Sequence, residues 1–488
     1  MARDLFIQGA RIGTAGLREA DVLIEAGEIT GVGRDLDVPA GAERLDAREM
    51  VLFPGLINAH MHSGENFNPG LYENLPLDLW FVHSHQVTRT EPLSPDGIYA
   101  RTMLGAGLML RSGTTSCVDF LFEAPEITLD TLEPVVQAYR DAGMRATILL
   151  GVADKPFVES LPLPNGEGAA GREASPPTLE SIMELAAGAV ERWHEPGGMI
   201  GIGLGPSAPQ RCSRELLQQT LDFARARRLV WQTHVLETKS QAYTSRRWHE
   251  RSFVELMAVR GLLGPETTLV HTVWLTDRDI EVMAGSGATA VHCLLSNLRL
   301  GDGVARLPKL RDAGVRVALG TDGRGCDETL DMLELAKMTA LVHKARGGDY
   351  RRWPTAAEAL EMCTSAASVC TGHGETPGRI EPGAKGDLIM LPLDAPALVP
   401  LHDPVRQLVY GVPSADIHTV VVDGRVVVKD GRPLHVDMAR LAREAGPYAD
   451  ESLRGERPAD AAMLESLVDE MYRQVEDTSL DVDSYLRS

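Results

Sequence analysis

Cysteine is scarce in this chain, and what there is follows no pattern. Cys117, Cys212, Cys293, Cys326, Cys363 and Cys370 are scattered without a C-x-x-C pair, which argues against a disulfide framework and for reduced, mostly buried thiols in a cytoplasmic protein. Basic charge is also short. Lys and Arg number 48 against 69 Asp and Glu, a formal net charge of −21, which opposes binding to a phosphate backbone or an anionic membrane. Long apolar runs are missing as well: no stretch approaches the roughly 18 residues needed to span a bilayer. The opening MARDLFIQGARIGTAG is broken by charges and glycines, so a soluble, unprocessed protein is expected. Neither nucleic acid nor a membrane is therefore expected as a partner.

At 488 residues the chain exceeds the usual single-core size, so it forms either two domains or one large barrel with an appendage. Its first fifty residues alternate in short strand-like pieces, LFIQGARI, ADVLIEAGEITGVG and ERLDAREMVLF, separated by glycine-centred turns. The same pattern returns in KGDLIMLPLD and TVVVDGRVVVKDGRP, where Asp-Gly marks a tight hairpin. Residues 1–52 and 376–436 are therefore expected to build one small composite β-sandwich. Residues 437–488 read as a charged, helix-prone tail, packing on its own subunit or on a neighbour.

Between the two ends, eight apolar runs alternate with helical patterns: VLFPGLINAH, TTSCVDF, RATILLGV, MIGIGLGP, LVWQTHV, TTLVHTVWL, TAVHCLLS and VRVALGTDG. In TLDTLEPVVQAYRDAG, Leu132, Val135, Val136 and Tyr139 fall at i, i+3, i+4 and i+7. Eight strand-then-helix units predict an α/β fold, a (β/α)8 TIM-type barrel over 53–375. The segment 155–178, rich in proline and glycine, reads as a long loop after strand three, over or beside the pocket.

In such a barrel the chemistry sits at the C-terminal ends of the strands. His60-Met61-His62 closes the first run. On a strand, residues i and i+2 point to the same side, so both imidazoles can meet one ion. Strand five ends in THVLETKSQ with His234 and Glu237, strand six in LVHTVWL with His271, and strand eight in ALGTDG with Asp322. Three imidazoles (His60, His62, His234) and the Asp322 carboxylate suit one divalent ion, zinc or iron, with a position left for water. An ion so held lowers the pKa of water until hydroxide is available near neutral pH. Glu237, three residues after a ligand, is the candidate to hold or relay a proton, and His271 the candidate to polarise the group under attack.

The motifs PGLINAHMH, SGTTS, HVLETKSQ, LVHTVWLT, SNLRLG, VALGTDG and GRIEPGAKGDLIML run in order from about residue 50 to 390. With them the chain resembles the amidohydrolase superfamily, in the branch of the chlorohydrolases and the purine, adenosylhomocysteine and cytosine-type deaminases. The resemblance implies the same barrel and sandwich, His60, His62, His234 and Asp322 as metal ligands, Glu237, His271 and Asp322 in catalysis, and a homo-oligomer, dimer or tetramer. Binuclear members carry a lysine on strand four. MIGIGLGPSAP has none, which favours a single ion.

The substrate is set by loops. Glu65 and Asn66 either read an N–H-bearing heterocycle or serve the loop itself, Glu65 by pairing with a nearby arginine and Asn66 by organising the turn. Trp80 and Phe81 either stack a planar ring or pack beneath a lid. Asn297, in HCLLSNLRLG, is a further candidate for substrate contact. After Asp322 the chain departs from the serine- and asparagine-rich stretch of nucleoside-type deaminases and carries Arg324, Cys326, Asp327 and Glu328. The expected reaction is hydrolytic deamination of an aromatic N-heterocycle: a purine, pterin, pyrimidine, triazine or adenosyl-type amine. The competing reaction at the same site is C–N hydrolysis of a urea, amide or carbamate, or dechlorination or dealkylamination of a triazine. A non-catalytic binding barrel would have lost ligands that this chain retains.

Overall fold

The computed structural model describes residues 4–84, 92–162, 176–345, 347–374, 377–453 and 461–480. Eight parallel strands form the barrel: β1 (Leu56–Met61), β2 (Thr114–Leu121), β3 (Arg145–Val152), β4 (Ile200–Pro206), β5 (Trp231–Val235), β6 (Thr267–His271), β7 (Thr289–His292) and β8 (Val317–Leu319). They pair in chain order, and across the seam Asp322 N–H donates to His60 C=O at 3.0 Å. The lumen below the site is plugged by Ile57, Ala59, Val118, Leu149, Val270 and Val291, short aliphatic side chains that fill a packed barrel.

Three of the expected runs are shorter or divided. VLFPGLINAH is two strands: Met50–Pro54 pairs antiparallel with Leu388–Pro392 in the other sheet, and the barrel begins only after Gly55. There a side chain would overlap Thr115, so the close approach requires glycine. TTLVHTVWL stops at His271, because His271 and Thr272 adopt φ of 69° and 48° and leave the ladder. In TAVHCLLS the strand ends at His292, and Leu294–Arg299 is already helical.

The second sheet joins both chain ends. Its strands include Leu5–Ile12, Arg18–Glu25 and Glu28–Gly33 from the beginning, and Leu388–Pro392, Thr419–Val422 and Arg425–Lys429 from the end. The expected hairpin turns at Asp423-Gly424, both left-handed (φ 52° and 71°), as a two-residue hairpin turn requires. Arg145, at the start of β3, ties the barrel to this sheet. Its guanidinium, fully buried, donates to Asp387 at 3.0 and 3.3 Å, to Asp423 at 3.1 Å and to Gly198 C=O at 2.8 Å.

The helices that matter for the site are α1 (Leu77–His83), α2 (Pro95–Arg111), α3 (Leu129–Ala142), α4 (Lys239–His249) and α5 (Leu294–Arg299). In α3 the expected stripe Leu132, Val135, Val136 and Tyr139 is buried. Two tail helices, α6 (Met438–Leu453) and α7 (Ala461–Glu476), pack on this same chain. α6 lies on α2, where Ser94 N–H donates to Glu451 at 2.9 Å. Leu464, Val468, Met471 and Val475 of α7 close over Val82, Phe157 and Leu161 at the barrel mouth. Of the segment 155–178, residues 163–175 lie outside the described residues. No helix among the described residues is long and apolar enough to cross a membrane.

Candidate active site

The strand ends bring the expected residues together. Atoms able to ligate an ion lie within 4.8 Å of one another in three buried groups: His60, His234 and His271; His60, His62 and Asp322; and Glu237, His271 and Asp322. The backbone assists, since Leu236, His271, Thr272 and Asp322 all take left-handed φ, between 48° and 70°. Such conformations are uncommon for side chains of this kind and concentrate where function requires a particular direction.

Each of the three candidate histidine ligands is held by its Nδ1. His60 Nδ1 faces Gln232 Oε1, His62 Nδ1 faces Phe120 C=O and His234 Nδ1 faces Ser207 C=O, all at 2.6 Å. Acceptors at Nδ1 place the proton there and leave the Nε2 lone pair facing inward, the tautomer a metal needs. Gln232 cannot turn over freely, because its Nε2 donates to Ala59 C=O at 3.1 Å. Asp322 Oδ1 lies 3.3 Å from His60 Nε2 and 3.0 Å from His62 Nε2. Its Oδ2 accepts from Ser296 Oγ at 2.6 Å and from the Cys326 thiol at 3.5 Å. His60 Nε2 is fully buried without a hydrogen bond of good geometry. Three inward nitrogens and one carboxylate, one of the nitrogens otherwise orphaned, fit a single zinc- or iron-type ion.

Electrostatics divides the roles. Burial opposes ionisation of Asp322, but the adjoining His60 and His62 rings outweigh it and hold the carboxyl well below its usual range. Burial pushes Glu237 well above the carboxylate range, reinforced by the carboxylates of Asp302, Asp322 and Asp78. Burial also lowers His271 to about 3 against the pull of Asp322, and holds His234 well below the ordinary imidazole range, with His60 and His271 adding to the effect. The two carboxyls are thus pushed in opposite directions, Asp322 down and Glu237 up, the separation that acid–base chemistry uses. His271 Nε2 is 3.4 Å from Glu237 Oε1.

The four residues expected to contact substrate divide evenly. Glu65 and Trp80 line the cavity above the histidines, together with Phe81, Phe122, Gln210 and Arg211. Glu65 accepts from Gly325 N–H at 3.3 Å and from the Cys326 thiol at 3.8 Å. The loop after Asp322 makes room for it: a Cβ at Gly323 would overlap Glu65 Oε2, and one at Gly325 would sit 3.1 Å from both Glu65 Oε2 and Trp80 Cζ2. Trp80 is buried, and its Nε1 has no hydrogen-bond partner.

Asn66 and Asn297 do not line the cavity. Asn66 Nδ2 donates to Arg101 C=O at 3.1 Å, and its side chain fills the space beside Gly105 of α2, so it organises the loop. Asn297 Nδ2 lies 3.0 Å from His271 Nδ1 and 3.4 Å from Asp302. It bonds the far side of the His271 ring and leaves Nε2 to carry that ring's proton.

Several contributors were not anticipated. Gln232 precedes His234 by two residues on the same strand face, a polar residue inside WQTHV that the i, i+2 rule flags. Ser296, Gly323 and Gly325 sit beside residues already singled out. The carbonyls of Phe120 and Ser207 have no side-chain signature.

A sequence profile of the amidohydrolase family matches residues 51–427. The 5-methylthioadenosine/S-adenosylhomocysteine deaminase of Pelotomaculum thermopropionicum is 31% identical over 451 residues, covering 91% of this chain and 97% of that protein. The 5'-deoxyadenosine deaminase of Methanothermobacter thermautotrophicus is 33% identical over 453 residues, covering 92% and 99%. Among solved structures, the zinc complex of atrazine chlorohydrolase TrzN from Arthrobacter aurescens superposes with a TM-score of 0.81 at 25% identity, over 91% of this chain and 100% of that one.

Proposed function

The chain belongs to the amidohydrolase family, and from there we propose that it is a metal-dependent aminohydrolase releasing ammonia from an aromatic N-heterocycle, with adenosine-type amines first among the candidates. The observation that carries this reading is the convergence, at one end of the barrel, of His60 with His62 and Asp322, of His60 with His234 and His271, and of Glu237 with His271 and Asp322. Relatives at 31% and 33% identity over nine-tenths of the chain, both deaminases of adenosine derivatives, support the choice of ring.

In this reading His60, His62, His234 and Asp322 hold the ion. When bound, it supplies water acidic enough to attack near neutral pH. Asp322, ionised, accepts a hydrogen of the attacking water and fixes its direction. Glu237 would deliver its proton to the ring nitrogen next to the carbon under attack, take one back from the O–H of the added water, and pass it to the amine nitrogen as the C–N bond breaks and ammonia leaves. His271, neutral and held at Nδ1 by Asn297, donates from Nε2 to the developing charge. Glu65 faces the N–H edge of the ring from the opposite wall.

A second reading, hydrolysis of a halogenated or alkylamino triazine, draws on the likeness to the chlorohydrolase structure and on the apolar wall of Leu77, Phe122 and Leu300. One experiment separates the two. Zinc- and iron-loaded protein is assayed for ammonia across purines, adenosine derivatives, pterins, pyrimidines and aminotriazines, with halide and amine release followed in parallel. Glu237→Gln should retain its metal while turnover falls by about 10²–10⁴-fold. Halide release without ammonia would overturn the deaminase reading, and loss of metal in the Gln variant would overturn the role of Glu237.

A further inference from the structure

We infer that Asp302 is a positioning residue for the reaction: acting through Asn297, it keeps the proton of His271 on Nε2, the ring nitrogen that faces Glu237. This rests on the aminohydrolase reading and adds to it the group that decides from which nitrogen His271 can donate.

The local sequence builds the contact. In SNLRLGDGVA the helix α5 ends at Arg299, and Gly301 and Gly303 follow with φ of 75° and 109°. Glycine takes these left-handed conformations without penalty, and they fold the chain back so that Asp302 returns to Asn297. Asp302 N–H donates to Asn297 C=O at 2.8 Å, and Trp274 Nε1–H donates to Asp302 C=O at 2.8 Å. Trp274 N–H in turn donates to Leu236 C=O at 2.9 Å. The main chain of Asp302 is thereby tied to the segment that follows His271 and, through it, to the residue before Glu237. Its side chain, buried, turns to the Asn297 amide.

One terminal atom of that amide meets both neighbours. Asn297 Nδ2 lies 3.0 Å from His271 Nδ1 and 3.4 Å from Asp302 Oδ2, while Asn297 Oδ1 is buried without a partner. An amino group has two hydrogens and serves both contacts at once. In the opposite orientation a carbonyl oxygen would have to accept from a protonated Nδ1 and also face Asp302, which works only where that carboxyl donates. Burial pushes the Asp302 carboxyl up, and the bond from Asn297 opposes the shift. Ionised or not, the carboxyl keeps an oxygen that accepts. The amino orientation is therefore satisfied with either form of Asp302, and the carbonyl orientation with only one.

The consequence falls on His271. Burial holds its ring neutral, and a neutral imidazole that accepts at Nδ1 carries its proton on Nε2. That nitrogen is 3.4 Å from Glu237 Oε1. His271 lines the cavity, whereas Asn297 and Asp302 do not. Asp302 thus acts from outside the reacting space, by choosing which way the Asn297 amide turns.

The test reads the tautomer directly. The full chain, loaded with zinc and isotopically labelled at the histidine nitrogens, is studied by nitrogen NMR, which separates a protonated ring nitrogen from one that accepts; His271 is assigned by its loss from His271→Gln. In the unaltered protein the His271 proton should sit on Nε2. Asp302→Leu removes the acceptor and should move that proton to Nδ1 in a large fraction of molecules, with kcat lower by at least about 10-fold and KM and zinc content unchanged. Asp302→Asn still offers a carbonyl oxygen and should recover part of both the tautomer and kcat. Asp302→Ala demands no extra space and repeats the comparison should the leucine variant fail to fold. A proton on Nδ1 in the unaltered protein, or one that stays on Nε2 when the Asp302 carboxyl is removed, would overturn the assignment. A tautomer that moves while kcat holds would remove Asp302 from the reaction. Because the tautomer is read without turnover, absent ammonia alongside the expected tautomers would count against the deaminase reading alone.

Discussion

The histidine floor of the cavity and the wall of Trp80, Gln210 and Arg211 treat their polar atoms in opposite ways. On the floor, the Nδ1 atoms of His60, His62 and His234 each have an acceptor at 2.6 Å, and Asp322 Oδ2 has Ser296. In the wall, Trp80 Nε1 and Gln210 Oε1 are buried with no partner. A floor whose imidazoles are anchored at Nδ1 holds its Nε2 atoms in place before anything binds, which suits atoms that must hold one geometry through a reaction. The wall instead keeps buried polar atoms unpaired. If the floor carries the chemistry and the wall the choice of substrate, as proposed, the two can be broken separately.

The largest effect should come from the floor. His234→Ala removes a proposed ligand, and both bound metal and activity should fall to background, with metal content read by elemental analysis. Full metal occupancy in that variant would remove His234 from the ligand set. Gln232→Leu takes away the one side-chain acceptor among the three; metal affinity should drop by about 10–100-fold, measured by competition with a chelator, while the protein stays folded. Gly323→Ala strikes the wall, because its methyl would displace Glu65. We expect a loss of about 1–3 kcal/mol in stability and a raised KM with metal content unchanged. A variant with unaltered KM would show that Glu65 does not meet substrate.

The smallest effect concerns pH. Burial raises the Asp78 carboxyl from 3.8 to about 6, opposed by its hydrogen bond from Ser240. The folded protein thus holds this proton more firmly than the unfolded chain. The resulting stability is fully present below about pH 4 and is lost as pH rises through 6, on the order of 1–3 kcal/mol. Asp78→Asn should flatten that slope in denaturation measured at pH 5 and pH 7, and an unchanged slope would assign it to other groups.

The floor was more legible in the sequence than the wall. His60, His62, His234, His271 and Asp322 each close an apolar run, and the barrel rule converts that position into a place. Glu65 was readable as a cavity residue because it follows a proposed ligand closely, and Trp80 because it is an aromatic in the loop after that ligand. Asn66, beside the ligand pair, and Asn297, just after the seventh strand, were misleading because position in sequence does not say which way a side chain turns, and both bond protein groups rather than line the cavity. The acceptors at Phe120 and Ser207 are main-chain atoms, invisible to any reading of residue types. The space that Gly323 and Gly325 leave for Glu65 joins segments 258 residues apart or more, and only the closed barrel brings them together. Gln210 and Arg211 lay after a strand whose interest had been the absence of lysine.

Arg145 bears on how the whole molecule responds to stress. It is fully buried, and its carboxylate partners Asp387 and Asp423 belong to the sheet joining both chain ends, while Arg145 itself begins a barrel strand. Separating sheet from barrel would strand charges away from water, and breaking such a pair costs about 3–5 kcal/mol. Partial opening at that joint is therefore penalised before any catalytic residue moves, so heat or urea should meet one cooperative unit, with the two layers melting together.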